Sequence, residues 1–103
     1  MRQAEFSIGQ LVLHKKFNYR GVIYDVDAEY TGTEEWYEKV AKSKPPKNKP
    51  WYHVLVDGQL MTTYVAERHL QVDASQEPIT HPLTEDFFDC FENGAYQNYR
   101  SSN

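Results

Sequence analysis

The clearest alternation of apolar and polar residues lies on both sides of Asp57-Gly58. Residues 50–56 and 59–65 are rich in β-branched and aromatic side chains, as is typical of strands. An Asp-Gly pair between two such runs is a strong signal for a β-hairpin, because a type I′ turn requires positive φ at both central residues. The pattern therefore predicts a hairpin around which the rest of the chain is organised.

The hairpin also predicts which side chains share a face of the sheet. A two-residue loop pairs Leu55 with Leu60, His53 with Thr62, and Trp51 with Tyr64. A three-residue loop would shift this register by one residue. The face that carries the valines is expected to be core. The face with Trp51, His53 and Tyr64 is mixed, and it offers either a cross-strand aromatic pair worth about 0.5–1 kcal/mol or a surface for a partner.

Shorter patterns on either side of the hairpin predict the remaining strands. Strands are expected at residues 10–14, 21–27 and 70–72, with one helical turn at 66–69. About five short strands in a single small domain favour a mainly β fold. The specific prediction is a small SH3-like antiparallel β-barrel with one short helix and a C-terminal extension.

The short helix is predicted at residues 34–42. Thr33 is a suitable N-cap, and acidic residues precede lysines along the segment, as the helix dipole favours. Trp36 and Val40 would share one face of this helix and cover the barrel. Nine residues do not hold a helix in isolation, so docking on the barrel is required.

The chain divides into a barrel domain at residues 1–77 and an extension at residues 78–103. Within the extension, a second short helix is predicted over residues 84–92 and would end at Asn93-Gly94. Its three phenylalanines need burial, either on the barrel itself or against a partner. These residues are Phe87, Phe88 and Phe91.

Composition narrows the class of protein. The 103 residues suffice for one domain, and 15% aromatic content is typical of a globular chain. The single cysteine, Cys90, permits no intrachain disulfide, which fits a cytoplasmic location. Neither an apolar run long enough to span a membrane nor a signal peptide is visible, so no membrane association is expected.

Charge is unevenly distributed along the chain. The net charge is −4, yet residues 1–49 hold nine Lys or Arg against seven Asp or Glu, whereas residues 50–103 hold two against eight. The basic residues of the first part are either a solvated surface or contacts for DNA phosphates. The candidates for DNA contact are Lys15, Lys16, Arg20, Lys39, Lys42, Lys44, Lys47 and Lys49.

Catalysis and metal binding find little support in the sequence. The four histidines and Cys90 lack the close spacing of a zinc site, so neither a metal nor a cofactor is expected. His53 with Asp57, or His69 with Glu67, would be the acid–base pairs to consider, but neither has an evident nucleophile beside it. The chain is therefore predicted not to be an enzyme.

Several segments together resemble the YccV-like domain, the family of the bacterial heat-shock protein HspQ, also called the hemimethylated-DNA-binding domain. The resemblance covers about residues 6 to 82. Its motifs are Phe6-Ser7-Ile8-Gly9-Gln10, Tyr19-Arg20-Gly21-Val22-Ile23-Tyr24-Asp25-Val26-Asp27, Pro50-Trp51-Tyr52-His53-Val54-Leu55-Val56 and Thr63-Tyr64-Val65-Ala66-Glu67 with Leu70. The tail is similar to the extension that follows this domain in certain F-box proteins.

The resemblance implies a small β-barrel without catalytic residues and with one of two roles. The first is binding of double-stranded, hemimethylated DNA, here through the lysine-rich loop before Pro50. The alternative is that of a stress-response adaptor or specificity factor in regulated proteolysis, with Lon protease for the bacterial members and ubiquitin ligases for the F-box relatives. Bacterial members self-associate, so the resemblance leaves open a homo-oligomer.

Overall fold

The computed structural model describes residues 4–98, and it is mainly β, as predicted. Five strands form one antiparallel sheet in the order β4-β3-β2-β1-β5, and two more form a separate hairpin. The strands are β1 Leu11–His14, β2 Arg20–Asp27, β3 Trp51–Val56, β4 Thr62–Ala66, β5 Leu70–Val72, β6 Cys90–Glu92 and β7 Ala95–Gln97. The helices are α1 Glu34–Val40 and α2 Thr84–Phe87, with a 3₁₀ turn at Glu67–His69.

The five-stranded sheet curls but does not close. Within residues 4–98, β4 and β5 are its two edge strands, and they are joined by the 3₁₀ turn instead of by a ladder of hydrogen bonds. The barrel is therefore open on one side. None of the helices in this part of the chain is long and apolar enough to cross a membrane.

The central hairpin forms at the predicted place, but its predicted register was wrong by two residues. His53 lies opposite Tyr64, Leu55 opposite Thr62 and Trp51 opposite Ala66. The Val56 N–H donates to the Met61 carbonyl at 3.3 Å, so four residues form the loop. Gly58 has a φ of 76°, and among the central residues it alone is in the left-handed region, as in a type II turn. Because strand side chains alternate, a register shift of two residues leaves every side chain on its predicted face of the sheet.

Both faces of the sheet are buried. Inside the curl lies a core made of Phe6, Val12, Ile23, Tyr52, Val54, Val65 and Leu70. The outer face was expected to be mixed, but most of it is covered. The extension packs on Leu11, Val22 and Leu55, and α1 packs on Trp51 and Ala66. Consequently Trp51 is only 2% exposed.

Helix α1 begins as predicted but docks through a different face. The Trp36 N–H donates to the Thr33 hydroxyl at 3.1 Å, which confirms Thr33 as the N-cap. Tyr37 and Ala41 are buried against the sheet, whereas Val40 is 54% exposed and Trp36 is half-buried. The Tyr37 hydroxyl donates to the Pro45 carbonyl at 2.6 Å, and this bond anchors the helix to the following loop.

The predicted second helix was too long. It ends at Phe87, because Phe88 adopts an extended backbone that directs its ring into the outer core, where it is 4% exposed. The chain then forms the β6–β7 hairpin, in which Asn93 and Gly94 have φ values of 55° and 77°. Positive φ at both central residues is the type I′ geometry.

The extension packs on the barrel of its own chain. Phe87 and Phe91 are half-buried around Phe88, and the Phe87 ring lies 4.7 Å from that of Tyr24. The Ile79 N–H donates to the Tyr96 hydroxyl at 3.1 Å. The three phenylalanines are therefore buried on the barrel of their own chain, which is one of the two possibilities considered from the sequence.

Candidate nucleic-acid interface

The 3₁₀ turn brings three basic segments to one end of the barrel. The Lys15 N–H donates to the His69 carbonyl at 2.8 Å, which holds the β1–β2 loop against the turn. On the other side, the Arg68 guanidinium donates to the Ser43 carbonyl at 2.8 Å, and the Ser43 hydroxyl lies 3.0 Å from His69 Nε2. Segments that are far apart in the sequence thus meet around residues 67–69.

Several cationic side chains converge at this end. Lys15, Lys49 and Arg68 line one cleft of about 400 Å³. Lys16 and Lys42 are exposed and line the neighbouring groove. We call these five residues, Lys15, Lys16, Lys42, Lys49 and Arg68, the basic patch.

Two carboxylates also border the cleft, those of Glu5 and Glu67. The Glu67 carboxylate already accepts hydrogen bonds from the Tyr52 hydroxyl at 2.5 Å and from the Glu5 N–H at 3.0 Å. These contacts hold Glu67 against the inner core. Burial, and then the hydrogen bond to Glu67, raise the pKa of the Tyr52 hydroxyl. The Glu67 carboxylate is therefore already bonded to protein donors.

Two stacked histidines have pKa values that are lowered by burial and also by nearby positive charge. The rings of His14 and His69 are 5.8 Å apart and nearly parallel, and His14 Nδ1 accepts hydrogen bonds from the N–H groups of Lys16 and Phe17 at 3.1 Å. Burial lowers the pKa of both histidines, and nearby positive charge lowers it further. For His69 that charge comes from Arg68, Lys16 and Lys15. Both imidazoles are therefore neutral at pH 7 in a positive field.

The lysine loop is less free than its sequence suggests. No acid lies between Lys39 and Lys49 in the sequence, but the acids of α1 fold back on this loop. Lys44 pairs with Glu38 at 2.6 Å and Lys47 with Glu34 at 2.5 Å, and both ammonium groups lie over the Tyr37 ring. These pairs lower the positive potential of the loop. Lys39 is exposed on α1.

Arg20 is not part of the basic patch, because its guanidinium is bonded within the protein. Its Nε donates to Asp73 at 2.5 Å, its Nη1 to Asp57 at 3.2 Å, and its Nη2 to the Glu77 carbonyl. Burial raises the pKa of Asp73, but hydrogen bonds from Arg20 and Ser75 outweigh it, and the pKa is lowered. Arg20 thus serves as an internal ion pair between the hairpin loop and the segment after β5.

Trp51, His53 and Tyr64 also have internal partners. The Trp51 Nε1–H donates to the Pro46 carbonyl at 3.1 Å, and its ring lies 5.2 Å from that of Tyr64. The Tyr64 hydroxyl donates to Asp27 at 2.7 Å, and His53 Nε2 lies 3.0 Å from the same carboxylate oxygen. The aromatic-pair interpretation is the one that the structure supports, and Trp51 is too deeply buried to stack on a base.

The structure gives both histidines of the acid–base pairs considered above other contacts, and His69 Nε2 lies 3.0 Å from the Ser43 hydroxyl. His53 meets Asp27 instead of Asp57, and the residue opposite it is Tyr64 instead of Thr62. The strand register shifts at a β-bulge between Ile23 and Asp25. Asp25, Asp27 and His53 then each offer one atom that could bind a metal ion, and these three atoms lie within 4.8 Å of one another. Burial raises the pKa of Asp27, but hydrogen bonds from Tyr64, Thr31 and His53 outweigh it and lower the pKa. This carboxylate is thus already satisfied by protein donors.

Comparison with known families agrees with this architecture. The family model described as "Hemimethylated DNA-binding protein YccV like" matches residues 4–95. The chain belongs to the YccV-like family. The match includes the basic patch, and it continues through most of the extension, beyond the predicted limit near residue 82.

Sequence reasoning missed one member of the basic patch of this YccV-like domain. Arg68 stands in the acidic second part of the chain, where no run of basic residues marks it. The available signal was its place in a predicted helical turn between two strands, because such a turn lies at one end of the barrel near other loops. Its position beside Lys15 and Lys49 emerges only from the tertiary fold.

Proposed function

We propose that this YccV-like domain binds duplex DNA through the basic patch. The observation that carries the proposal is the convergence of Lys15, Lys49 and Arg68 on one cleft, with Lys16 and Lys42 beside it. These side chains come from three segments that the 3₁₀ turn holds together, so their spacing is fixed by the fold. The family description independently supports DNA as the ligand.

The lysine-rich loop contributes to this patch only in part. Lys42 and Lys49 flank the loop and are exposed, whereas Lys44 and Lys47 are paired with acids of α1. Each phosphate contact changes the slope of log K against log salt by about −0.9, so five contacts correspond to a slope of about −4.5. Between 50 and 200 mM salt, the affinity would then fall by roughly two to three orders of magnitude.

Affinity and methylation preference have separate origins in this proposal. Phosphate contacts position a protein on DNA but carry no sequence information, and the patch consists of cations alone. The helix that the sequence predicted, α1, is seven residues long and acidic at its start, which is unsuited to the major groove. The patch therefore supplies affinity that is independent of methylation, and any preference for hemimethylated sites arises from contacts outside it.

The test is fluorescence anisotropy with hemimethylated, fully methylated and unmethylated duplexes of one sequence, each at about 50 and 200 mM salt. The variant Lys15→Gln/Lys49→Gln/Arg68→Gln should reduce the salt slope by about 2.7, since three contacts of about 0.9 are lost. The matched control, Lys44→Gln/Lys47→Gln, removes two charges that are already paired and should change the slope by less than one contact. Absence of binding at about 50 mM salt, or equal effects of the two variants, would refute the proposal.

A second candidate function is a protein adaptor in regulated proteolysis. It requires a surface that recognises a polypeptide, and the open side of the barrel is favourable for this, as argued below. A cytoplasmic location, absence of catalysis and self-association stay predictions for this chain.

A further inference from the structure

Among residues 4–98, the backbone groups on the outer edge of β4 have no strand to pair with. Two hydrogen bonds show which opposing residues of β3 and β4 form bonded pairs. They run from the Val56 N–H to the Met61 carbonyl and from the Glu67 N–H to the Pro50 carbonyl. Because paired and unpaired positions alternate in an antiparallel ladder, Thr62 and Tyr64 direct their N–H and C=O groups away from β3. Within residues 4–98, β4 has no strand on that side. Such an edge is a template for a further strand.

A groove of about 730 Å³ follows this edge, and all five residues of β4 line it. One wall belongs to the mouth of the barrel, where Phe17 stacks on His14 and is 67% exposed. The opposite wall belongs to α1, with Trp36 and the exposed Val40. The groove is therefore largely apolar, and its two walls lie on the two sides of the strand edge.

The charge of the groove is one-sided. Its charged lining residues are Lys16 and Lys42, and no Asp or Glu among the described residues lines it. This is notable in a chain with 15 acidic residues and a net charge of −4. The Asp27 carboxylate lies behind the lining, where it accepts from the Tyr64 hydroxyl. A positive rim around an apolar groove is complementary to a ligand that combines negative charge with apolar groups.

We propose that this groove binds an extended acidic segment of a partner protein, which adds to β4 as a sixth strand of the sheet. The backbone of the segment pairs with the outward groups of Thr62 and Tyr64. Alternate apolar side chains occupy the two walls, since successive side chains of a strand point to opposite faces, and acidic side chains meet Lys16 and Lys42. This function is additional to DNA binding, although the two ligands share these lysines.

A peptide fits better than a single-stranded nucleic acid, which would also bring negative charge and flat apolar groups. Only a polypeptide offers alternating donors and acceptors at the spacing of a strand. The edge itself favours this ligand, because pairing satisfies the unpaired groups of β4.

The probe is a synthetic seven-residue peptide, Val-Val-Glu-Glu-Val-Val-Glu with blocked termini, which as a strand presents both Val and Glu on each of its faces. Its binding is followed by Trp fluorescence, since Trp36 lines the groove. Two matched peptides separate the contributions: one replaces Glu with Lys, and one carries N-methyl groups on the amides that would donate to β4. We expect binding by the first peptide and at least tenfold weaker binding by both others.

Variants locate the site. Thr62→Pro removes an N–H that points away from β3, so the ladder is kept and circular dichroism should be unchanged. It should weaken the acidic peptide at least tenfold, whereas Thr62→Val, which keeps the N–H, should not. Thr62→Pro should leave duplex DNA binding intact, and Lys49→Gln should leave peptide binding intact, which separates failure of this inference from failure of the DNA proposal.

Three results would overturn the inference. The first is equal affinity of the N-methylated peptide, which would mean that charge alone is responsible. The second is competition by oligo(dT) that survives Thr62→Pro, which would assign the groove to nucleic acid. The third is dimerisation that depends on protein concentration, is abolished by Thr62→Pro and is not inhibited by the peptide. This result would assign the edge to a second copy of the chain.

Discussion

Arg20 provides the sharpest test of the structure, because its sequence context suggested a DNA contact whereas its geometry indicates an internal role. Its guanidinium bonds to Asp73, to Asp57 and to the Glu77 carbonyl, and these partners lie on two different segments. The side chain of Arg20 is 25% exposed and that of Asp73 is 8% exposed. Removal of Arg20 would leave the Asp73 carboxylate largely buried without its cation.

We expect Arg20→Met to lower the free energy of unfolding by about 2–4 kcal/mol. A hydrogen bond to a charged group contributes about 1.5–3 kcal/mol, and breaking a buried pair costs about 3–5 kcal/mol, but the partial exposure of Arg20 reduces both figures. Urea denaturation followed by Trp fluorescence measures this loss. The control Lys39→Met, at an exposed position on α1, should change stability by less than about 0.5 kcal/mol.

A double-mutant cycle assigns the loss to the Arg20–Asp73 pair. With Asp73→Asn as the second change, the coupling energy should be about 1–3 kcal/mol. Arg20→Met should also leave the salt slope of DNA binding unchanged at a temperature where the variant is folded. A loss of stability below about 0.5 kcal/mol, or a slope reduced by a full contact, would show that the internal role is wrong.

Three further predictions concern the outer core, the second hairpin and pH. Phe88→Ala should destabilise the protein by about 3–5 kcal/mol in urea denaturation, because a buried ring of the outer core is removed. Gly94→Ala should cost about 1 kcal/mol or more in thermal unfolding, since the residue has a φ of 77°, whereas Ala95→Gly serves as a control within the hairpin. The lowered pKa of His14 means that the unfolded chain takes up the proton first, so stability should decline as pH falls below 6.5. Urea midpoints at pH 7.5 and 5.5 should show this decline, and a smaller one for His14→Gln.

The strand pattern predicted much of the fold, and the turns show where local reasoning is limited. Asp57-Gly58 has the composition of a type I′ turn, yet the observed loop has four residues and only Gly58 is left-handed. The bond from Gly58 N–H to the Thr80 carbonyl, together with that from Thr80 N–H to Asp57, ties this loop to the extension. The type I′ turn occurs instead at Asn93-Gly94, where a helix end was predicted.

The candidate sites depended even more on contacts between distant segments. The acids of α1 pair with Lys44 and Lys47, and no spacing rule within the lysine loop reveals this. Conversely, Arg68 joins Lys15 only because the 3₁₀ turn carries it to the β1–β2 loop. The open edge of β4 is likewise a property of strand order, which the sequence does not encode in any single segment.

The extension returns to the first strand, and this has a topological consequence. Gln10 forms a β-bridge with Ala95, and the Tyr96 N–H donates to the Gly9 carbonyl at 2.8 Å. These contacts join residues that are far apart in the sequence, so they close a loop that includes the whole five-stranded sheet. Contacts of high sequence separation slow folding, because the entropy of loop closure is lost before the contacts are gained. The extension is therefore expected to dock late in folding, on a sheet that has already formed.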